Sequence, residues 1–391
     1  MSRSLPLVTA ADRRNRLGRR HCLAPSARAA SATLAADAVV ALHATDAATV
    51  YLSARARLRG GGPSDIERAL YEDVSLVRLL SMRNTLFAVS AELAPYVDSS
   101  TARGIAAKER RSLLKHLAED GGGLDADWLA SAEAAALHAL DTGGPATGSQ
   151  LSAAVPALRQ KITIGRGKKY EAETGVVTRV IRLLAADGRI RRDRPRGTWT
   201  SSQFRWVHTL PWPPVPAGAA RAELARRWLR SYGPATEADL KWWTGWTLTE
   251  ARKALAAVGP EEVRLDDGRT ALVSPGDTAP EPAPEPWAAL LPGLDPSGMG
   301  WADRSFHLDA AHRPALFDYA GNIGPTVWWN GEIVGGWAQR PDGEIVWRLL
   351  ADPGREAAQA IAAEAARLAD WVGDARVTPR FRTPLERELT A

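Results

Sequence analysis

Few side chains among the 391 residues are of a type and spacing that could do chemistry unaided. The seven histidines are scattered. Only His307, Asp309 and His312 approach a metal-ligand set, and no helical His-Glu-x-x-His spacing accompanies them, so neither a metal nor another cofactor is expected. Gly165-Arg166-Gly167-Lys168-Lys169 lacks the spacing of a phosphate-binding loop and the Ser or Thr that follows its lysine. Cys22 is the only cysteine, which rules out an intramolecular disulfide and points to a reducing compartment. It reads as a small buried side chain, since nothing around it suggests a triad. Asn322, between Gly321 and Gly324, reads as a turn residue.

The charges are more telling. The chain carries 50 Lys+Arg against 45 Asp+Glu, a net +5. Between Arg159 and Arg196, however, 12 bases face four acids, so this segment holds +8 and the remainder −3. A local basic footprint of this kind suits a polyanion. With 45% apolar and 24% charged residues the composition is that of a globular protein, which excludes fibrous and disordered classes. No apolar stretch reaches membrane-spanning length and Met1–Pro6 has no apolar signal core, so a soluble, cytoplasmic protein is expected.

The elements that must carry these residues follow from periodicity. The first 150 residues read as helices: Ser31–His43, Ala47–Leu58 and a third capped by Ser64 or Asp65, stopped between by Gly60-Gly61-Gly62-Pro63. Others follow over Ala102–Ala118 and Asp125–Leu140. In the basic segment, helices over Thr147–Arg159 and from a Thr174 cap precede a strand–turn–strand over Arg189–Thr200. That is the order of a winged helix-turn-helix. The order recurs from Ala219 to Val273, with Thr236 as a cap and a hairpin around Asp267-Gly268. A Pro-rich linker, Pro280–Pro286, then leads to a β-rich region whose hairpin turns at Asn330-Gly331. An amphipathic helix (Arg355–Trp371) and a strand-like tail complete the chain. Of 15 Trp only Trp128 precedes Trp199, so the rear half is Trp-rich. Trp328, Trp329 and Trp337 read as β-core residues in preference to a base-stacking platform.

Three stretches resemble a known family. They are Val40–Arg57 with His43-Ala-Thr45-Asp46, Leu76–Phe87 with Arg83-Asn-Thr85, and Asp318–Trp337. Their types and order, over about Leu17–Leu350, resemble the winged-helix DNA glycosylases of the AlkZ/YcaQ type. The resemblance implies an α+β fold of three tandem winged helices (1–143, 144–212 and 213–280) and a small C-terminal β-barrel with a closing helix (286–391). These would form a clamp on duplex DNA. It further implies a monomeric, monofunctional glycosylase of base excision repair, nucleoid-associated, that hydrolyses the N-glycosidic bond of alkylated or crosslinked purines. A non-catalytic DNA-binding protein is the alternative.

Where the family carries Gln-x-Gln or Gln-x-Asp, this chain has His43 and Thr45, with Asp46 next. Cleavage at an N-alkylated purine expels an already cationic base and develops oxocarbenium character at the sugar, so a water must be held close by. The His43 imidazole and the Thr45 hydroxyl are candidates to hold it, with Asp46 adding negative charge. Thr45 and Asp46 also suit helix N-caps, and His43 a helix C-terminus. Arg83 and Thr85 match a family segment near the cleft, where a structural turn is the other reading. Lys168, Lys169, Arg194 and Arg196 are the expected phosphate contacts. Arg55 and Asn322 complete the expected DNA-contacting set.

Overall fold

The computed structural model describes residues 4–120, 124–169 and 171–391. Helix starts obey local capping chemistry. Thr9, Thr147, Thr236 and Thr247 each accept from the backbone N–H three residues on, and the acidic or amide residue there returns the bond to the cap backbone. The helix Ala47–Arg55 starts at Asp46, whose carboxylate accepts from the Ala48 N–H. Ser31 caps a helix that ends at Ala38, short of the expected His43. Val40 there takes a left-handed φ of 64°, and the chain leaves as the strand Leu42–His43. That strand joins Thr85–Ser90 and Leu76–Ser81 in a three-stranded antiparallel sheet, with His43 opposite Phe87. His43 therefore sits on a sheet and not at a helix end.

The helix–helix–hairpin orders are present. Gly148–Ala154 and Val176–Ala186 precede the pair Ile190–Pro195/Phe204–His208. Glu237–Thr244 and Leu248–Val258 precede Glu261–Leu265/Thr270–Val273. Thr174 is no cap. It lies in a strand, Ala172–Gly175, opposite Ile162, and Gly175 occupies the helix N-cap. A short N-terminal strand, Leu7–Val8, adds in parallel to Glu261–Leu265 across more than 250 residues of sequence.

No barrel closes among the described residues. The C-terminal region is an open antiparallel meander of Ala288–Leu291, Thr326–Trp329, Glu332–Gln339 and Ile345–Leu349, in that spatial order. The helix Arg355–Val372 packs on it through Ala357, Ile361, Ala365 and Leu368. Four strands with a helix across one face bury that face without edge-to-edge closure. The expected strand-like tail instead contains the helix Pro384–Leu389, started at Thr383, with Leu385 and Leu389 buried.

Three cores carry most of the packing. In the largest, Trp228, Tyr232 and Trp243 meet Leu17, Phe87, Trp287 and Trp328, so front, middle and rear of the chain share it. A second joins Leu42, Tyr51 and Leu70 to the C-terminal sheet and its helix. Residues Leu113–Ile190 form a separate core beneath the basic segment. Trp328 and Trp337 are buried, as expected of core residues.

Within the shared interior sits a charged cluster. Arg57 is fully buried and donates two hydrogen bonds to the Asp295 carboxylate, at 2.9 and 2.7 Å, and one to Ser297 Oγ. Ser53 Oγ donates to the same carboxylate at 2.7 Å, and His21 Nδ1 lies 2.8 Å from Ser297 Oγ. Asp295→Ala leaves that guanidinium without its counter-ion, and we expect a loss of about 3–5 kcal/mol in denaturant unfolding. An unchanged midpoint would refute this accounting. Burial holds His21 neutral, with its pKa lowered to about 3, and holds His307 well below 6.5. The unfolded chain takes up these protons near pH 6.5 while the native one does not. Stability should therefore fall progressively as pH drops below 6.5, as measured by melting temperature against pH.

Candidate active site

Four of the expected residues converge. His43, Arg83, Thr85 and Asn322 line one open cavity of about 410 Å³, together with Trp242, Leu294, Met299, Arg304 and Arg313. They come from three elements far apart in sequence. His43 is set by the sheet, its ring edge-on to Phe87 with centroids 5.1 Å apart. Burial first, then the neighbouring Arg83 charge, lowers its pKa to about 3, so the imidazole is neutral at any physiological pH. The Thr45 backbone N–H points at His43 Nδ1, 3.4 Å away. That contact suits a neutral ring whose proton is on Nε2. The imidazole then offers a donor at that nitrogen.

Arg83 and Asn84 turn the chain between two strands with φ of 53° and 60°. The turn is braced on one side by Arg182, which donates to Asn84 Oδ1 at 2.8 Å. On the other side lies Gly245, where a Cβ would stand only 3.2 Å from the Arg83 backbone nitrogen. Arg83 itself stacks on Trp242, 4.3 Å from guanidinium carbon to ring centroid. Burial lowers its pKa to about 10, and it stays charged. Thr85 donates its hydroxyl proton to the Met82 carbonyl, leaving the oxygen as an acceptor.

Asn322 belongs to the turn Asp318–Asn322. Its backbone N–H and its amide nitrogen both donate to the Asp318 carboxylate, each at 2.8 Å. Those bonds fix the amide orientation and leave the side-chain oxygen Asn322 Oδ1 as the unused acceptor, the backbone carbonyl being taken by the Asp318 N–H. Trp242, Arg304 and Arg313 were not singled out by sequence. Arg304 also lies over Trp242, at 4.9 Å, and Arg313 over Phe317, at 4.5 Å. An arginine in a sequence with 50 bases carries no mark of its own.

The other expected residues lie elsewhere. Thr45 is not on the cavity wall, and its hydroxyl is buried without a hydrogen bond. Asp46 spends both oxygens on structure, accepting from Ala48 N and Arg380 N, and lines a smaller groove with Trp337 and Gln339. Arg55 is buried in an ion pair with Glu364, so its guanidinium is closed to a phosphate. Arg194 is held by Glu67 and Glu72. Lys168, Lys169 and Arg196 are exposed at hairpin turns, as a phosphate contact requires. Among the described residues no group of His, Cys, Asp or Glu is placed to hold a metal. No helix there is long and apolar enough to cross a membrane.

Comparison with known proteins gives this geometry a context. No curated protein sequence matches the chain. The structure of Streptomyces sahachiroi DNA glycosylase AlkZ superposes with a TM-score of 0.69, covering 95% of this chain and 98% of that one at 22% identity, which shows a shared fold. The sequence model of the AlkZ-like DNA glycosylases matches residues 36–371, and the chain therefore belongs to the AlkZ-like DNA glycosylase family.

Proposed function

We propose that this protein is a monofunctional glycosylase of duplex DNA that hydrolyses the N-glycosidic bond of N-alkylated or crosslinked purines. The observation that carries the reading is the convergence of His43, Arg83, Thr85 and Asn322 on one open cavity. Family membership supplies the reaction class. We read the helix–helix–hairpin units as winged helices within 1–143, 144–212 and 213–280, followed by the sheet-and-helix unit 286–391. Exposed Lys168, Lys169 and Arg196 are positioned to touch the DNA backbone.

The chemistry asks little of a proton donor. An N7-alkylated purine leaves with the electron pair of the C1′–N9 bond, which neutralises the ring. The sugar is left as an oxocarbenium ion, and a water oxygen bonds to C1′ while its proton passes to solvent. In this scheme the water is held by two groups. His43 Nε2–H donates to its oxygen, and Asn322 Oδ1 accepts from one of its hydrogens. Asp318 is a positioning residue that aims Asn322. Thr45 and Asp46 act one layer out: the Thr45 N–H orients the imidazole, and Asp46 caps the helix that follows.

Single-turnover excision from a duplex bearing N7-methylguanine, read as alkali-labile strand breaks, tests this. His43→Ala and Asn322→Ala should each slow excision about 10²-fold. Asp46→Asn, which keeps an acceptor for the helix cap, should slow it little. Failure of the wild type to release either N7-methylguanine or a crosslinked purine, while duplex binding remains tight and salt-sensitive, would establish the non-catalytic alternative. Because His43 titrates near pH 3, its protonation puts no acid limb on the rate between pH 5 and 8. A limb near pH 6.5 that vanishes in His43→Gln would overturn the donor role given to this residue.

A further inference from the structure

Arg83, Arg304 and Arg313 are the three arginines that line the site cavity among the described residues. None has a carboxylate within ion-pairing distance among the described residues. Other arginines divide: Arg16 and Arg20 share Asp277, Arg57 has Asp295, Arg227 has Glu223 and Arg269 has Asp267, whereas buried Arg13 and Arg78 also rest on aromatic rings but do not line this cavity. Three acids on the same elements are already engaged. Asp239 accepts from Thr236 and from Ala302 N, Asp303 from Ser305 and Arg269, and Asp318 from Asn322.

What holds the three guanidiniums is mainly aromatic surface. Arg83 and Arg304 lie over Trp242, and Arg304 and Arg313 over Phe317 at 5.5 and 4.5 Å. Arg304 adds a bond to the Gly298 carbonyl at 2.8 Å. Cation–π contact and a carbonyl fix the planes without neutralising the charge. Arg304 is also buried, 7% exposed, where a cation without a counter-ion is costly. Such an arrangement is complete only when an anion arrives, and a planar fork matches a phosphate.

Position narrows the anion. Arg304 and Arg313 line the 410 Å³ site cavity and also a neighbouring one of about 650 Å³ that runs past Arg14, His307 and Glu332. The cationic wall is thus the junction of two cavities, each of nucleotide scale. A strand with one nucleotide in the first and its neighbour toward the second would bring their linking phosphate to this wall. We propose that Arg83, Arg304 and Arg313 form a phosphodiester-binding subsite, which grips the backbone of the lesion-bearing strand next to the target nucleotide. This rests on the reading of the protein as a DNA glycosylase.

The test scans single neutral methylphosphonate linkages along one strand of an otherwise ordinary duplex and measures binding by fluorescence anisotropy at several salt concentrations. Binding does not require excision, so it is read independently of catalysis. One linkage should cost the wild type about tenfold in affinity and lower the salt slope by about one. Arg313→Ala, at an exposed position, should bind about tenfold more weakly and lose its sensitivity to that linkage alone. Arg304→Lys, which keeps the charge and loses the fork, should fall between. Arg348→Ala, paired with Glu388 outside both cavities, is the control and should bind as the wild type does. If Arg313→Ala keeps the wild-type affinity and the same methylphosphonate profile, the subsite is refuted while the glycosylase reading stands. If the wild type binds no duplex at any salt, both fall. Inorganic phosphate that raises the wild-type melting temperature, and not that of Arg313→Ala, while no single linkage matters, identifies a free-anion site and likewise overturns the proposal.

Discussion

The buried ion pair between Arg57 and Asp295 is the constraint on which the candidate site depends. Its partners lie 238 residues apart. Arg57 follows the helix that begins just after His43, and Asp295 opens the loop that follows the strand Ala288–Leu291. With Ser53, Ser297 and His21 the pair satisfies both carboxylate oxygens and most of the guanidinium. Breaking such a pair is expensive, yet its net gain over a well-packed apolar core is small. What it supplies here is registration. The loop it pins carries Leu294, Met299 and Arg304, one side of the cavity, against the sheet that carries His43 and Thr85, the other side. Trp301 continues the link by donating from its indole N–H to the Tyr232 carbonyl, and Tyr232 bonds in turn to the Val39 carbonyl, three residues before the strand of His43. The site is thus a seam between front and rear of the chain, closed by polar contacts in an otherwise aromatic core.

That seam changes the meaning of the charge distribution. By sequence the basic segment is a +8 footprint. In the fold much of it is answered by acids outside the segment: Arg179 and Arg182 by Glu109, Arg189 by Glu133, Arg194 by Glu67 and Glu72. These pairs dock the segment onto the front of the chain, and the excess left facing solvent gathers at two hairpin turns, around Lys169 and Arg196. A further group of positive charges without a carboxylate partner gathers at the cavity around Trp242, on arginines that a linear count spreads over 230 residues. Net charge located the right class of partner for an incomplete reason.

Legibility followed the range of the interactions involved. Capping and turn chemistry act over three or four residues, so Asp46, Thr236, Asn330-Gly331 and Asp267-Gly268 were readable as such. The helices they start or the hairpins they close came out within a few residues. What failed depended on distant partners. Leu34, Ala38, Val39 and Leu42 have helical spacing. Yet Leu42 and His43 find strand partners in Ala88 and Phe87, and a left-handed Val40 lets the chain turn into the sheet. The tail reads as extended until Leu385 and Leu389 meet the C-terminal sheet as one helix face. Closure of a barrel is a property of how four strands curve against a helix, which periodicity does not encode. Of the residues that line the cavity, His43, Arg83, Thr85 and Asn322 lie inside the three quoted stretches, whereas Thr45, Asp46 and Arg55 from the same stretches lie off it. Trp242, Arg304 and Arg313 were missed because nothing local distinguishes them.

Under the proposed hydrolysis, a histidine at position 43, where the resemblance implies a glutamine, has a chemical consequence that reaches across the cavity. A glutamine amide presents a donor and an acceptor together, and can hold a water by its oxygen while its nitrogen is tied elsewhere. A neutral imidazole that receives the Thr45 N–H at Nδ1 presents a donor alone. Arg83 beside it, and burial on every other side, keep a proton from being added and so keep it a neutral donor. In the proposed scheme an acceptor for the water then comes from another element. Asn322 suits that need because Asp318 occupies its amide nitrogen and leaves Oδ1 as the acceptor. On this logic the histidine and the asparagine are one functional unit split between the two halves of the chain. In that proposed scheme the Arg57–Asp295 seam is what keeps the two halves of the unit in register.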